Sequence, residues 1–532
     1  MKGNNLLPMT TKKKQLGQYF TPAFVADFMV ALSSKGKDAK VLEPAAGEGV
    51  FIDTLLAHGF KDISGYEIDP TLETKNKKYI TFESFIGANF LEKFDLVIGN
   101  PPYVRWKNMS EEQKAELAGT DEWNQYFNSL GDLLYMFILQ SVELLQDGGE
   151  LIFITPEYWL NTMHSRTLRN YLLQHGWLQE IYHFSETPIF DKVASSIIIF
   201  KYVKGKTKAG LTSVYKYSSK RKLAATELGD LANDEMWEKF QIHAFAKNES
   251  WILAPDAIKK ALEAYEKKCQ INLYDFQQPR LIPEDEVAYV RLGDIANIAN
   301  GLVSGLDKAF KLPADASLNA KEKVATIKVM KAKDMESFRN ISLHQYLYLN
   351  EVKLTDTSFK KDYPTFYKEL APYKDDLLKR YVYDETTNYW DWVFLRSLHV
   401  FQQDQPKIFV PCKERITNKS SLRFAYAASD VFPTQDVAAI YLNTGIREDI
   451  YYILAFLNSK VTYDWVKYKG LIKGGIAEFS ERPLASIPIR LIDWTKPEEV
   501  KAHDEIVNGV KTYIKTGDGR AAIDEYITKL LK

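Results

Sequence analysis

Cysteine and histidine are scarce in this chain, and neither is grouped. Cys269 and Cys412 are the only two cysteines in 532 residues, and the eight histidines are scattered without any close pair. That excludes a disulfide framework and offers no metal-ligand spacing. It predicts a chain without a structural or catalytic metal, in a reducing cytoplasmic setting. Long apolar runs are missing too. No stretch approaches the roughly 20 residues that span a bilayer, and no apolar signal region follows the N-terminal lysines. Net charge is nearly absent, with 69 Lys and Arg against 70 Asp and Glu. By itself that balance argues against a general nucleic-acid binder. The local exception runs from Lys201 to Lys222: eight basic residues and no acid. A solvated linker and a strip facing phosphates both fit it.

What is present is the composition of a soluble globular protein, 45% hydrophobic and 26% charged, in a chain long enough for two or three domains. Through the first half, strand-like runs alternate with helix-like segments. They are Lys40–Glu43, Ile63–Asp69, Leu96–Ile98, Glu150–Ile154 and Ser196–Phe200, with a helical pattern over Gly131–Leu145 that stops at Asp147-Gly148-Gly149. Alternation of this kind predicts a mainly parallel sheet with helices on both faces, and ligands bound beyond the carboxyl ends of its strands. Three chemistry-bearing turns fall there. Gly47 and Gly49 follow the first strand and permit close backbone approach. Glu67 ends the second strand, where an acid binds ribose hydroxyls. The full GxGxxG of a pyrophosphate site is lacking, so a donor such as S-adenosylmethionine fits better.

The third turn is Asn100-Pro101-Pro102-Tyr103, directly after Phe94–Ile98. The two prolines fix φ and push their predecessors into extended geometry. A stiff turn aims the Asn100 amide oxygen and the Pro101 carbonyl at one point, where they can accept both hydrogens of an exocyclic NH2 group. The Tyr103 ring offers that planar group a stacking surface.

With these motifs in their order, the chain resembles the gamma-class N6-adenine DNA methyltransferases, TaqI-like and Eco57I-like, over roughly residues 15–202. Gly17-Gln18-Tyr19-Phe20-Thr21-Pro22 resembles the motif that closes over the cofactor methionine. Glu43-Pro44-Ala45-Ala46-Gly47-Glu48-Gly49 resembles the cofactor loop, Glu67 the ribose-binding acid, and Ile68 a residue beside the cofactor adenine. Ala88-Asn89-Phe90-Leu91 resembles the A-D-F-L segment, with Asn89 where the family has an acid. Phe137, in Asp132–Phe137, resembles the aromatic lining the cofactor pocket. Phe190, ahead of Ala194–Ile198, resembles the aromatic that packs on the extruded base; Phe184 is the nearest other candidate. Gly301–Phe310 and two segments near the end, Leu454–Lys460 and Leu484–Ile489, resemble the opening and close of a TaqI-like target-recognition domain.

The resemblance implies a Rossmann-like α/β S-adenosylmethionine-dependent methyltransferase domain (residues 1–250), a linker (251–285), a mixed α+β recognition domain (286–495) and a C-terminal helical segment (496–532). It implies methyl transfer to N6 of an adenine flipped from double-stranded DNA, by a monomer, as modification enzyme beside a restriction endonuclease or alone. Asn100, Pro101, Pro102 and Tyr103 would be catalytic. Tyr103 and Phe190 would hold the base, so Tyr103→Phe is expected to be mild. Enzymes that methylate RNA or a protein glutamine share the Asn-Pro-Pro-Tyr motif and remain alternatives, as does a catalytically dead DNA-binding module. N4-cytosine enzymes usually carry Ser at the Asn100 position, which favours adenine. Basic residues interleaved with aromatics, such as Arg380, Trp390, Trp392, Arg396, Lys413, Arg415, Lys419, Arg423, Trp465 and Lys469, are candidates for DNA contact.

Overall fold

The computed structural model describes residues 20–190, 196–205, 210–217, 219, 221–229, 237–270, 289–381, 387–417, 419–473 and 475–532. Gly17-Gln18-Tyr19, Ala194-Ser195 and residues 271–285 of the expected linker lie outside them. The chain divides into two compact units, Met1–Lys259 and Lys260–Lys532.

The first unit is built on a nine-stranded sheet. In chain order its elements are α1 (Ala23–Ala31), β1 (Lys40–Glu43), α2 (Val50–Ala57), β2 (Asp62–Tyr66), β3 (Ile80–Thr81), β4 (Phe94–Gly99), α3 (Glu111–Ala118), α4 (Asp121–Tyr126), α5 (Leu133–Leu144), β5 (Leu145–Pro156), α6 (Arg166–His175), β6 (Gly176–His183), β7 (Ile197–Lys204), β8 (Thr212–Tyr217) and β9 (Trp237–Ile242). The strand order is β3-β2-β1-β4-β5-β7-β6-β8-β9. From β3 to β5 every pairing is parallel, whereas β7 runs antiparallel to both neighbours. After β1 the chain winds outward to β3, then returns to place β4 on the other side of β1. That reversal opens a crevice beyond the ends of β1 and β4, the place where open sheets bind ligands.

The period-2 alternation of strand side chains builds two cores from one sheet. Val41, Leu96, Ile98, Ile152 and Ile154 face α1 and α2. Leu42, Val97, Leu151 and Phe153 face α5. Each fully buried side chain of this size contributes roughly 1.5–3 kcal/mol. α5 starts where the Asp132 carboxylate accepts from Leu134 N at 3.1 Å. It ends at Leu144, earlier than the glycine pair suggested, because Asp147-Gly148-Gly149 lies inside β5. Across the sheet, Lys201 pairs with Glu150 at 3.1 Å, both all but inaccessible. Glu150 also accepts from Ser33 Oγ and Ser34 N, and Lys201 donates to Leu32 O, which ties the end of α1 to the sheet.

That network corrects one reading of the basic run. Lys204 donates to the carbonyls of Glu143 and Leu145, and Lys216 to that of Leu253. With Lys201 also turned inward, these three lysines of the run are structural rather than part of a strip for phosphates; Lys206, Lys208 and Lys220 lie outside the described residues.

Helix α7 (Asp256–Lys268) occupies part of the segment expected as linker, with Leu262 and Tyr265 buried. The second unit is α+β. It holds β10 (Ala296–Asn300), β11 (Thr326–Met330), β12 (His344–Leu347), β13 (Lys407–Pro411), β14 (Lys413–Arg415), β15 (Ala425–Ala427), β16 (Val431–Pro433), β17 (Val437–Leu442), β18 (Ile472–Lys473) and β19 (Ile476–Glu478). They form sheets ordered β10-β17-β13-β15, β12-β11-β16 and β14-β19-β18. Helices α8 (Ile450–Leu457) and α9 (Lys460–Lys469) precede the last hairpin, and α10 (Pro497–Thr516) and α11 (Arg520–Leu530) close the chain.

Candidate active site

The site begins where β1 gives out. Glu43, 1% exposed, ends the strand. Burial, then the nearby charge of Glu67, pushes its carboxyl well above the ordinary range. One of its oxygens, Oε2, has no hydrogen-bond partner. The turn that follows depends on glycine at two places. Gly47 and Gly49 have φ of 56° and 86°, the left-handed region that costs other residues about 1–2 kcal/mol. At Gly49 an added Cβ would also come within 2.5 Å of Thr74 Oγ1. The turn is fastened to β2 by Ala46 N donating to Tyr66 O at 2.7 Å. Glu67 accepts from Gly47 N and from Asp69 N, both at 2.8 Å. Burial raises its carboxyl above the usual value.

Opposite, β4 ends at Gly99, where a Cβ would already touch Glu43 Cγ at 3.6 Å. Asn100 follows, and Pro101 is buried beneath the turn. Asn100 Nδ2 donates to Thr21 Oγ1 at 3.1 Å. The Tyr103 hydroxyl sits between two acceptors, Asn100 Oδ1 and Ile154 O, the latter at 3.0 Å. A hydroxyl has one proton, so it donates to one of them at a time. The hydroxyl thus helps hold the Asn100 amide, a contact that sequence reasoning did not assign to Tyr103.

These turns surround a partly open pocket. Phe20, Pro44, Ala45, Gly47, Glu67, Ile68, Asn100, Pro102 and Phe137 of the expected residues line it. Thr21, Tyr103 and Glu43 stand behind that lining, Gly49 caps α2, and Pro22 caps α1 through its carbonyl. Ser84, Phe85, Ile86, Gln113, Glu116 and Leu133 also line the pocket and were not expected. The wall has two carboxylates and no Lys, Arg or His.

Three expected residues are not brought to it. Asn89 is exposed, next to Leu91 at 93% exposure. Phe90 packs on Tyr66 and Phe85, with centroids 5.1 and 5.7 Å away, and so turns Phe85 and Ile86 toward the pocket in its place. Phe190 is 5% exposed and lies in the apolar core with Phe184, Ile189 and the buried face of α1.

In the second unit, several proposed DNA-contacting side chains are used internally. Arg380 donates to the carbonyls of Leu377, Tyr389 and Asp391. Lys419 and Arg423 pair with the fully buried Glu414. Trp465 and Lys469 both reach Glu266. Trp390 and Trp392 are core residues. Lys413, Arg415 and Arg396 remain on the surface. Among the described residues, no group of three His, Cys, Asp or Glu is placed to hold a metal, and no helix is long and apolar enough to cross a membrane.

Comparison with known proteins adds to this geometry. Residues 50–190 match the Eco57I restriction-modification methylase family. Over 508 residues the chain is 41% identical to Type II methyltransferase M.HindII of Haemophilus influenzae, covering 95% of each chain. It is 39% identical to M.HincII of Haemophilus influenzae over the same span. Among solved structures, that of the Type IIL restriction-modification enzyme MmeI in complex with DNA aligns with 99% of this chain and 76% of its own, at TM-score 0.58 and 13% identity. At that identity the likeness is one of fold.

Proposed function

The chain belongs to the Eco57I-like restriction-modification methylases, with Type II methyltransferases as full-length relatives, and we propose that it methylates N6 of adenine in double-stranded DNA from S-adenosylmethionine. The observation that carries this reading is the junction of Asn100, at the end of β4, with a pocket whose far side holds Glu67 at the end of β2. An acid at that strand end suits a ribose. Ile68, Phe85, Ile86 and Phe137 suit a purine. A wall with two carboxylates and no basic side chain suits a cation and disfavours a pyrophosphate. When bound, S-adenosylmethionine supplies an electrophilic methyl group on a positively charged sulfur.

The chain's own residues handle the acceptor. Asn100 Oδ1 and Pro101 O accept the two hydrogens of the amine and localise its lone pair toward the donor. Positioning of this kind contributes roughly 7–11 kcal/mol in favourable cases. Thr21 and Tyr103 keep the amide in place. The base must leave the duplex, at a cost of a few kcal/mol, and the half-buried Tyr103 ring offsets about 1–3 kcal/mol of it by stacking. The unit Lys260–Lys532 would read the DNA, with the enzyme acting as a cytoplasmic monomer beside a cognate endonuclease or alone.

The test is to incubate purified protein with duplex DNA and methyl-labelled S-adenosylmethionine, then digest the DNA to nucleosides. Label in N6-methyldeoxyadenosine is the expected result. Label in N4-methyldeoxycytidine would overturn the choice of base. Label accepted by RNA or protein but not DNA would overturn the substrate.

A further inference from the structure

One wall of the pocket comes from outside the sheet. Between Val104 and Leu133 the chain leaves the Asn100–Tyr103 turn, forms α3 and α4, and returns to the start of α5. Backbone hydrogen bonds close the neck of this excursion, from Leu133 N to Val104 O at 2.9 Å and from Trp106 N to Gly131 O at 3.3 Å. Inside it, the Trp106 and Trp123 rings stack with centroids 5.4 Å apart. Glycine is required at 131, where a Cβ would come within 2.9 Å of the Trp123 ring. Helix α3 is further fixed by a reciprocal cap between Ser110 and Gln113 and by the buried Leu117. It is therefore a built flap, and it brings Gln113 and Glu116 to the pocket wall, one helical turn apart.

The two carboxylates of the wall differ in their state. Glu67 already accepts two backbone amides. Glu116 is half-buried, and its carboxylate makes no hydrogen bond or ion pair among the described residues. A carboxylate in a partly dry pocket gains most from a ligand that brings positive charge. On the reading above, the methyl donor carries that charge on sulfur. Once the methyl group has gone, the bonding pair stays with sulfur and the product is a neutral thioether. The sulfur must lie toward Asn100, where the acceptor amine is held, and α3 is delivered by the chain that leaves the same turn.

We propose that Glu116 is the carboxylate by which this pocket distinguishes the charged donor, S-adenosylmethionine, from its product, S-adenosylhomocysteine. The inference rests on the pocket being the donor site. Glu116 favours entry of the donor and loses its counter-charge when the methyl group has been transferred, which favours release of the product.

The test is isothermal titration of the full chain with each compound at low ionic strength, for the wild type, Glu116→Gln and Glu112→Gln. Glu116→Gln should weaken S-adenosylmethionine about fivefold and change S-adenosylhomocysteine by less than about twofold, the scale of a partly solvated ion pair. The loss should shrink as salt is added. Glu112→Gln, on the exposed side of α3, should change neither. Equal weakening of both ligands by Glu116→Gln, or weakening of neither, would overturn the proposal while leaving the donor pocket intact. A wild-type chain that bound neither compound would overturn the donor-site reading itself.

Discussion

Tyr103→Phe separates the two tasks of the Asn100–Tyr103 turn. The substitution keeps the ring, so stacking volume and packing are unchanged and no cavity opens. It removes only a hydroxyl whose proton serves Ile154 O, at 3.0 Å, or Asn100 Oδ1. A hydrogen bond of this type is worth about 1 kcal/mol net. For a unit of this size the melting temperature should fall by about 2–4 °C. The effect on chemistry comes through Asn100, whose amide would be held by Thr21 and not by Tyr103. If the freed amide misaligns by the equivalent of about 1.4 kcal/mol, turnover drops roughly tenfold. Binding of S-adenosylmethionine should be unaffected, since Tyr103 does not line the pocket. Tyr103→Ala should add loss of stacking, a further ~1–3 kcal/mol visible in DNA binding. Single-turnover methylation, ligand titration and thermal melting read the three effects separately. A Tyr103→Phe enzyme with wild-type turnover and melting would refute the positioning role and restore the expectation that the change is mild.

Glu43→Gln tests the buried carboxyl behind the pocket. Its raised value means that the folded chain holds a proton the unfolded chain gives up, so stability is full below the ordinary 4.5 and falls as pH rises through the raised value. Urea midpoints against pH should show a shallower decline for the variant, and an identical slope would count against the assignment. Glu150→Ala should destabilise by about 3–5 kcal/mol, because it strands Lys201 in the core; chemical denaturation gives the number, and a change under 1 kcal/mol would mean the pair is not buried as described. Burial alone would raise the Glu150 carboxyl, but the Ser34 hydroxyl and Lys201 outweigh it and hold it low. That contribution is present above the ordinary carboxyl range and is lost as pH falls through the lowered value, so wild type and Glu150→Ala should converge in acid. Gly49→Ala should lower stability by about 1–2 kcal/mol through its left-handed backbone and weaken ligand binding, since the turn must shift away from Thr74; unaltered melting and binding would contradict it.

Much of the first unit was legible because two strong signals coincided. Apolar runs of strand length marked β1, β2 and β4, and the residue types that follow them, Gly47, Glu67 and Asn100, pointed to a ligand site at their ends. A diproline turn after a buried strand reads the same in sequence and structure, since the rings fix the backbone without help from neighbours. The segment around Asn89 was harder. Ser84–Phe90 carries three consecutive candidates for a pocket wall, and only the packing of Phe90 on Tyr66 decides that Phe85 and Ile86 face inward. Helix α3 left no trace as a pocket wall, because Gln113 and Glu116 sit in an ordinary polar helix. Charge runs misled for a related reason. Whether an ammonium meets a phosphate or a carbonyl depends on which way the strand faces, and Lys201, Lys204 and Lys216 face inward.

The central claim is that Asn100 holds an adenine amine for methylation in DNA. Its most direct test is expression of the wild type and of Asn100→Ala in a bacterial host without adenine methylation, followed by genome sequencing that detects N6-methyladenine. The account predicts modification confined to one short sequence motif for the wild type and none for Asn100→Ala, with the purified variant still binding S-adenosylmethionine. An unmodified genome with active wild-type protein present, or modification that persists in Asn100→Ala, would contradict it.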